Sequence, residues 1–370
     1  MRATLYVALS LAALSCSSGD PSGGEAGLTR IWSTPVQNGD IQGQRAGADA
    51  DRFYVIYGAY MHAYSAADGV RAWTQRITNV CAPILSSGGR VLCPNDAFEA
   101  FDAASGRPLW RFEPPSATFL IVDGAAGGGL AFGGTPRGTT VYALDAATGA
   151  VAWQKRLAEP EWRGGGMRGL AVSGDTVFAS LTRSYNENAY LSAAVVVALD
   201  RATGRELWRF QDGDGSDSRS TIGGVTVSGR TVLYASNNGG EYTAFDRETR
   251  QVRWRVKEDP GFVGPYQAPT VVGGVAYGAG GDKNVYAIDV ATGAIRWKVS
   301  PQPFTYWSHA VCGSLVLADN RSLNVVDRAT GRTRGVLFST PEESVKSVNA
   351  VGTRAFVATN KAVYGFECPP

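Results

Sequence analysis

Asp212-Gly213-Asp214-Gly215-Ser216-Asp217 alternates carboxylates with small residues, the pattern a hard, oxygen-seeking cation requires. A helix–loop–helix calcium site would want Gly sixth and Glu twelfth, where this chain has Asp217 and Gly223. A solvated loop is therefore the simpler reading, and a calcium site through Asp212, Asp214 and Asp217 the alternative. The two histidines, His62 and His309, have no partner at metal-ligand or triad spacing, so His309 reads as a channel residue and His62 as a strand residue. Cys81 and Cys93 flank the turn Ser86-Ser87-Gly88-Gly89 almost symmetrically. On neighbouring antiparallel strands their sulfurs would meet, which predicts a disulfide; Cys312 and Cys368 would form a second, and small buried thiols are the alternative. A last set is cationic and aromatic: Arg45, Arg163, Arg168, Arg219, Tyr266, Gln267, Trp307, His309, Lys346 and Asn349. Arg forks suit carboxylate or phosphate, so these residues would hold an anion if they converged; side chains that merely solvate a channel mouth are the plainer reading.

The elements that would position these residues follow an export signal. Met1-Arg2, an apolar run from Ala3 to Leu14 and the small residues at Ser15-Cys16 read as a signal peptide over 1–15. Ala13-Leu14-Ser15-Cys16 resembles a bacterial lipobox, with Ala13 where Leu is usual, which would make Cys16 a lipidated first residue. Ordinary cleavage releasing a periplasmic protein is the alternative. Residues 16–27 are Gly/Ser-rich and read as a tether, and Ser17 resembles outer-membrane sorting. A net charge of +2 gives no electrostatic case for nucleic acid, and no later apolar run could span a membrane as a helix. Four cysteines after Cys16 suit an oxidising compartment.

Residues 28–370 read as one domain built by repetition. The phrase Ala143 to Trp153 (ALDAATGAVAW) recurs at Ala198 to Trp208, Ala244 to Trp254 and Ala287 to Trp297, with earlier copies ending at Trp73 and Trp110 and a worn one from Val325. Trp32, Trp73, Trp110, Trp153, Trp208, Trp254 and Trp297, with Gly335 in the eighth place, stand 41, 37, 43, 55, 46, 43 and 38 residues apart. One unit, from Ala268 to Ser300, holds four short strands joined by Gly-Gly and Asp-x-x-Thr-Gly turns, with no helix. Leu28 to Ser33 is a tryptophan strand without a unit, and Ser344 to Glu367 is a unit without a tryptophan strand. The two ends complete one another. The expected fold is all-β: an eight-bladed propeller of four-stranded antiparallel blades, closed by the N-terminal strand on the last blade, with each Trp docking on a neighbour.

The motif A-[LF]-D-x-x-T-G-x-x-x-W resembles the tryptophan-docking repeat of quinoprotein, PQQ-type propellers from about Leu28 to Glu367. Dehydrogenases with that repeat hold PQQ beside Ca²⁺ and often carry a vicinal Cys pair or a c-type haem. This chain has neither adjacent cysteines nor a C-x-x-C-H site, so no cofactor is the expectation and PQQ with Ca²⁺ the alternative. The combination of signal, anchor and propeller is similar to the BamB family of the outer-membrane barrel assembly machinery. That resemblance implies a non-catalytic, monomeric scaffold on the periplasmic side of the outer membrane, or at the cell surface, that binds a protein partner and meets the membrane only through its lipid. The rival classes are a small PQQ-dependent oxidoreductase, a propeller holding an anionic ligand, and a surface lipoprotein binding sugars or peptides. The irregular loops share one face of the expected ring, including the insertion 184–190, and form the candidate partner surface.

Overall fold

The computed structural model describes residues 26–370 apart from 37–40, 79–80, 82–83, 95–96, 116–124, 128, 136–138, 186–191, 214–221, 237–239, 258–267, 280–281, 302–307 and 339; for 41–45, 125, 127, 308 and 319–320 it describes backbone only. Eight four-stranded antiparallel sheets follow in chain order, and the last is completed by the N-terminal strand Thr29–Pro35, which pairs with Ala362–Glu367. We number these blades one to eight. Their first strands, Ile41–Ala48, Leu85–Ser87, Ala125–Gly127, Gly164–Ser173, Ile222–Ser228, Thr270–Val272, Ser308–Cys312 and Val345–Val351, each touch the next, and the eighth touches the first. The ring is closed, with the first strands innermost.

The repeated phrase explains the joints between blades. In blade three Ala143 lies opposite Trp153 while Leu144 pairs with Val151, so Ala152 is an extra residue and the strand bulges just before the Trp. The small Ala leaves room for the indole. The Nε1–H of Trp32, Trp73, Trp110, Trp153, Trp254 and Trp297 donates to the carbonyl of Ala66, Ala103, Ala146, Arg201, Val290 and Arg328 respectively, at 2.9–3.1 Å. Each acceptor is the residue after the first position of the Asp-x-x-Thr-Gly turn in the next blade. Within that turn Asp145 Oδ1 accepts from the Thr148 amide and hydroxyl, both at 2.8 Å, and the Thr148 hydroxyl leads the groups that hold the carboxyl below its usual value.

The turn's Gly does two jobs. Gly293 has φ +77°, and a Cβ there would lie 2.5 Å from Cγ of Trp254, so the position needs both left-handed backbone and a bare Cα for the ring to rest on. In blade five this position is Arg250, at φ +61°. Trp208, which belongs to the joint between blades four and five, is half-buried and sits edge-on to Phe245 at 6.0 Å. Arg250→Gly is expected to raise stability by about 1 kcal/mol by removing the cost of a side chain in the left-handed region. Thermal unfolding checks it, and an unchanged or lower midpoint would refute the strain.

Blade seven has no Trp because it would have nothing to dock on. Blade eight takes its fourth strand from the N-terminus and therefore lacks the Asp-x-x-Thr-Gly turn that would offer the acceptor. The vacancy is filled from the same source: a Cβ on Gly335 would lie 2.8 Å from that of Ala26, and Leu28 is buried with Leu323, Val325, Leu337 and Phe366. The packed body thus reaches back to Ala26, inside the stretch that composition alone reads as tether.

Candidate functional site

The geometry of the ring decides where the sequence candidates point. A blade's two faces pack on its neighbours, so a side chain on an innermost strand meets an adjacent blade, and the strand's edge faces the axis. His309 is the clear case: its Nε2 accepts from the Thr270 amide at 3.3 Å and lies 3.2 Å from the Thr270 hydroxyl in blade six. It fastens blades six and seven and is not a channel residue, which corrects the expectation from sequence. Burial pushes its pKa down to about 4. His62 lies between blades one and eight, stacked on Tyr57 at 3.7 Å with Nδ1 2.9 Å from the Thr74 hydroxyl, and burial, then the Arg71 charge, also pushes it to about 4. Both imidazoles are neutral at neutral pH.

Arg168 and Lys346 lie on the innermost strands of blades four and eight; Asn349 donates to the Ser347 hydroxyl at 3.0 Å; Arg163 lies just before the first strand of blade four. Arg45 is placed by its backbone alone, and Arg219, Tyr266, Gln267 and Trp307 fall outside the described residues, as do Cys16, Asp214 and Asp217. Asp212 is committed elsewhere. Arg255 donates to both its oxygens, at 2.6 and 2.7 Å, and Tyr234 donates to one of them. Burial pushes this carboxyl up, and the bonds from Arg255 and Tyr234 more than reverse that, leaving it below the usual range. It clamps blade four to blade five. Among the described residues no three His, Cys, Asp or Glu side chains are grouped to hold a metal.

The loop face carries a built feature on blade four. The ladder between that blade's second and third strands runs from Thr176↔Asp200 to Ser184↔Ser192, whereas in blade five it stops at Ser236↔Glu241, three pairs shorter. Blade four therefore rises about 10 Å above its neighbour as a crest. On the crest's blade-three side, Arg183 lies 4.5 Å from the Tyr185 ring centroid and 5.8 Å from that of Trp162, and Arg209 lies 5.9 Å from Trp162. Gln211 accepts from Arg183 at 3.1 Å and donates to the Tyr185 hydroxyl at 2.8 Å. Glu159 and Glu206 hold Arg209 at 3.1 and 3.0 Å. The crest also concentrates unmet polar groups: among the described residues, Trp162 Nε1, Arg183 Nε and the hydroxyls of Thr182, Ser184 and Ser192 are buried without a partner. Rigid aromatics stacked on guanidinium groups, with spare donors, are the composition of interface anchors rather than of a reaction centre.

The family model described as "Outer membrane protein assembly factor BamB" matches residues 24–189 and 192–365. The chain belongs to the BamB family. The crystal structure of BamB from Moraxella catarrhalis superposes with a TM-score of 0.68 at 18% identity, covering 92% of this chain and 97% of that one. BamB of Yersinia pestis is 26% identical over 54% of this chain and 51% of its own length. Quinohemoprotein alcohol dehydrogenase ADH-IIG of Pseudomonas putida is 22% identical over 73% of this chain and 41% of its own length. The chain thus spans about half or less of these curated relatives. The chain matches assembly-factor and dehydrogenase relatives alike, so the likeness identifies the construction and not the chemistry.

In this BamB-family chain the insertion 184–190 brings Tyr185 to the surface the sequence expects, whereas Trp162, Arg183 and Arg209 belong to no motif. Trp162 sits in a blade-to-blade linker, Arg183 and Arg209 on different strands, and only the lengthened strands bring them together. The one available signal was the 55-residue interval between Trp153 and Trp208, the longest in the ring.

Proposed function

We propose that this protein is a non-catalytic scaffold on the periplasmic side of the outer membrane that helps assemble outer-membrane proteins, docking its partner on the loop face around the blade-four crest. Membership of the BamB family supports this reading. The observation that carries the docking surface is the stack of Tyr185, Arg183, Trp162 and Arg209, held in place with buried donors left over. Cross-linking in outer membranes, followed by purification in detergent, should recover the central barrel subunit of the assembly machinery. The Trp162→Ala/Arg183→Ala variant should reduce that recovery about tenfold, the loss of roughly 1.4 kcal/mol expected from one anchor, with little change in melting. Unchanged recovery would remove the crest from the interface. PQQ and Ca²⁺ added together with an alcohol should support no quinone reduction; turnover would favour the dehydrogenase-like reading instead.

A further inference from the structure

We propose that the axial channel is a binding site for a small polyanion, a molecule with two or more carboxylate or phosphate groups, held between Arg168 and Lys346. The inference is independent of the scaffold reading. Each residue is the extra one in a β-bulge on an innermost strand: Met167 pairs with Leu181 and Gly169 with Ser180, leaving Arg168 over, and Val345 pairs with Thr359 and Ser347 with Ala358, leaving Lys346 over. A bulge turns a side chain out of the alternation that otherwise aims it at a neighbouring blade. Arg168 is exposed although Met167 and Gly169 beside it are buried, and on an innermost strand the open direction is the axis. Lys346 is half-buried between Val345 and Ser347, both buried.

The two sites face one another. Blades four and eight stand opposite in a ring of eight, and each bulge lies five residues before the end of its strand, at Ser173 and Val351, which puts the two backbone positions at about one level of the ring. The innermost strands carry charge of a single sign. The eight innermost strands carry Arg45, Arg168 and Lys346 and no Asp or Glu. Arg45 falls on a third register-shifted stretch, between Ile41 and Ala46. Neighbouring carboxylates are engaged elsewhere: Glu343 accepts from Thr359 and Tyr364, Glu159 pairs with Arg209, and Glu161 lies 3.9 Å from Arg183. Among the described residues Arg168 and Lys346 have no ion pair or side-chain hydrogen bond. The unpaired sheet edges also turn backbone N–H groups toward the axis, and a cleft with cationic walls concentrates anions.

Isothermal titration of the full-length protein at low ionic strength, with inorganic tripolyphosphate and with citrate, tests the site. At least one is expected to bind saturably at one molecule per protein, and a preference identifies the acidic group. Arg168→Ala and Lys346→Ala should each weaken binding about tenfold and Arg168→Lys less. Arg332→Ala, in an exposed turn of blade seven, should leave it unchanged. Circular dichroism and melting confirm that each variant is folded; Arg168, being exposed, can be changed without loss of packing. No saturable binding to either anion, or equal weakening by Arg332→Ala, overturns the proposal.

Discussion

Trp254→Ala is expected to lower the unfolding free energy by about 3–5 kcal/mol, and Trp208→Ala by only about 2 kcal/mol. Trp254 is 8% exposed, donates to Val290 at 2.9 Å and rests on the bare Cα of Gly293. Its removal opens a cavity between blades five and six and leaves a buried carbonyl without its donor. Trp208 faces the one turn whose Gly is replaced, by Arg250, and its half-buried ring packs on Phe178 and Phe245 at 5.8 and 6.0 Å. Less area is removed from contact, so less is lost. Chemical denaturation of both variants measures the difference. Equal losses would mean that the docking Gly contributes nothing to the joint, and a negligible effect at Trp254 would refute tryptophan docking altogether.

The sequence carries this much of the fold because each joint is local. Asp, Thr and Gly build a turn within five residues, and Trp reads that turn in the next copy, so the phrase Ala287 to Trp297 contains both halves of a contact. Counting such phrases counts blades, and the unmatched ends show where the ring closes. What lay outside the phrase was less legible. His309 reads as a channel residue from sequence, but spacing does not say which way a side chain turns, and alternation sends it to Thr270. Alternation is broken at Arg168 and Lys346 by bulges that leave no mark in a single sequence. Ala26 and Gly27 read as the end of a tether because the use of Ala26 depends on a gap at Gly335, more than 300 residues away. The crest has the same cause: Arg183 and Tyr185 join Trp162 through the extra length of two strands rather than through spacing.

Removing the disulfide between Cys312 and Cys368 should cost more than removing the one between Cys81 and Cys93, about 4 against about 3 kcal/mol by loop-closure entropy. The two bridges close loops of different length, with sequence separations of 56 and 12, and both are formed. The short one differs from a cross-strand bridge. The hairpin ladder ends at Leu85↔Leu92, and Cys81 lies ahead of the first strand, so the bond ties the linker from blade one onto the sheet of blade two. Its loss leaves Tyr54, Ile56, Trp73 and Ile84 to hold that joint by packing. The long one fastens blade seven to the residue after the last strand, where the chain must hold its own beginning. The Pro369 carbonyl accepts from Ser314 at 2.8 Å and the Cys368 amide donates to Thr353 at 2.7 Å, so the C-terminal segment crosses from blade eight to blade seven beside the strand that pairs with Thr29–Pro35. Denaturant midpoints of the Cys312→Ser/Cys368→Ser and Cys81→Ser/Cys93→Ser variants give the order. Amide exchange gives the place: Arg30 to Thr34 should exchange faster only in the former. If exchange there is unchanged, the bridge acts on the unfolded chain alone, and closure of the ring rests on the strand pair and the packing of Leu28.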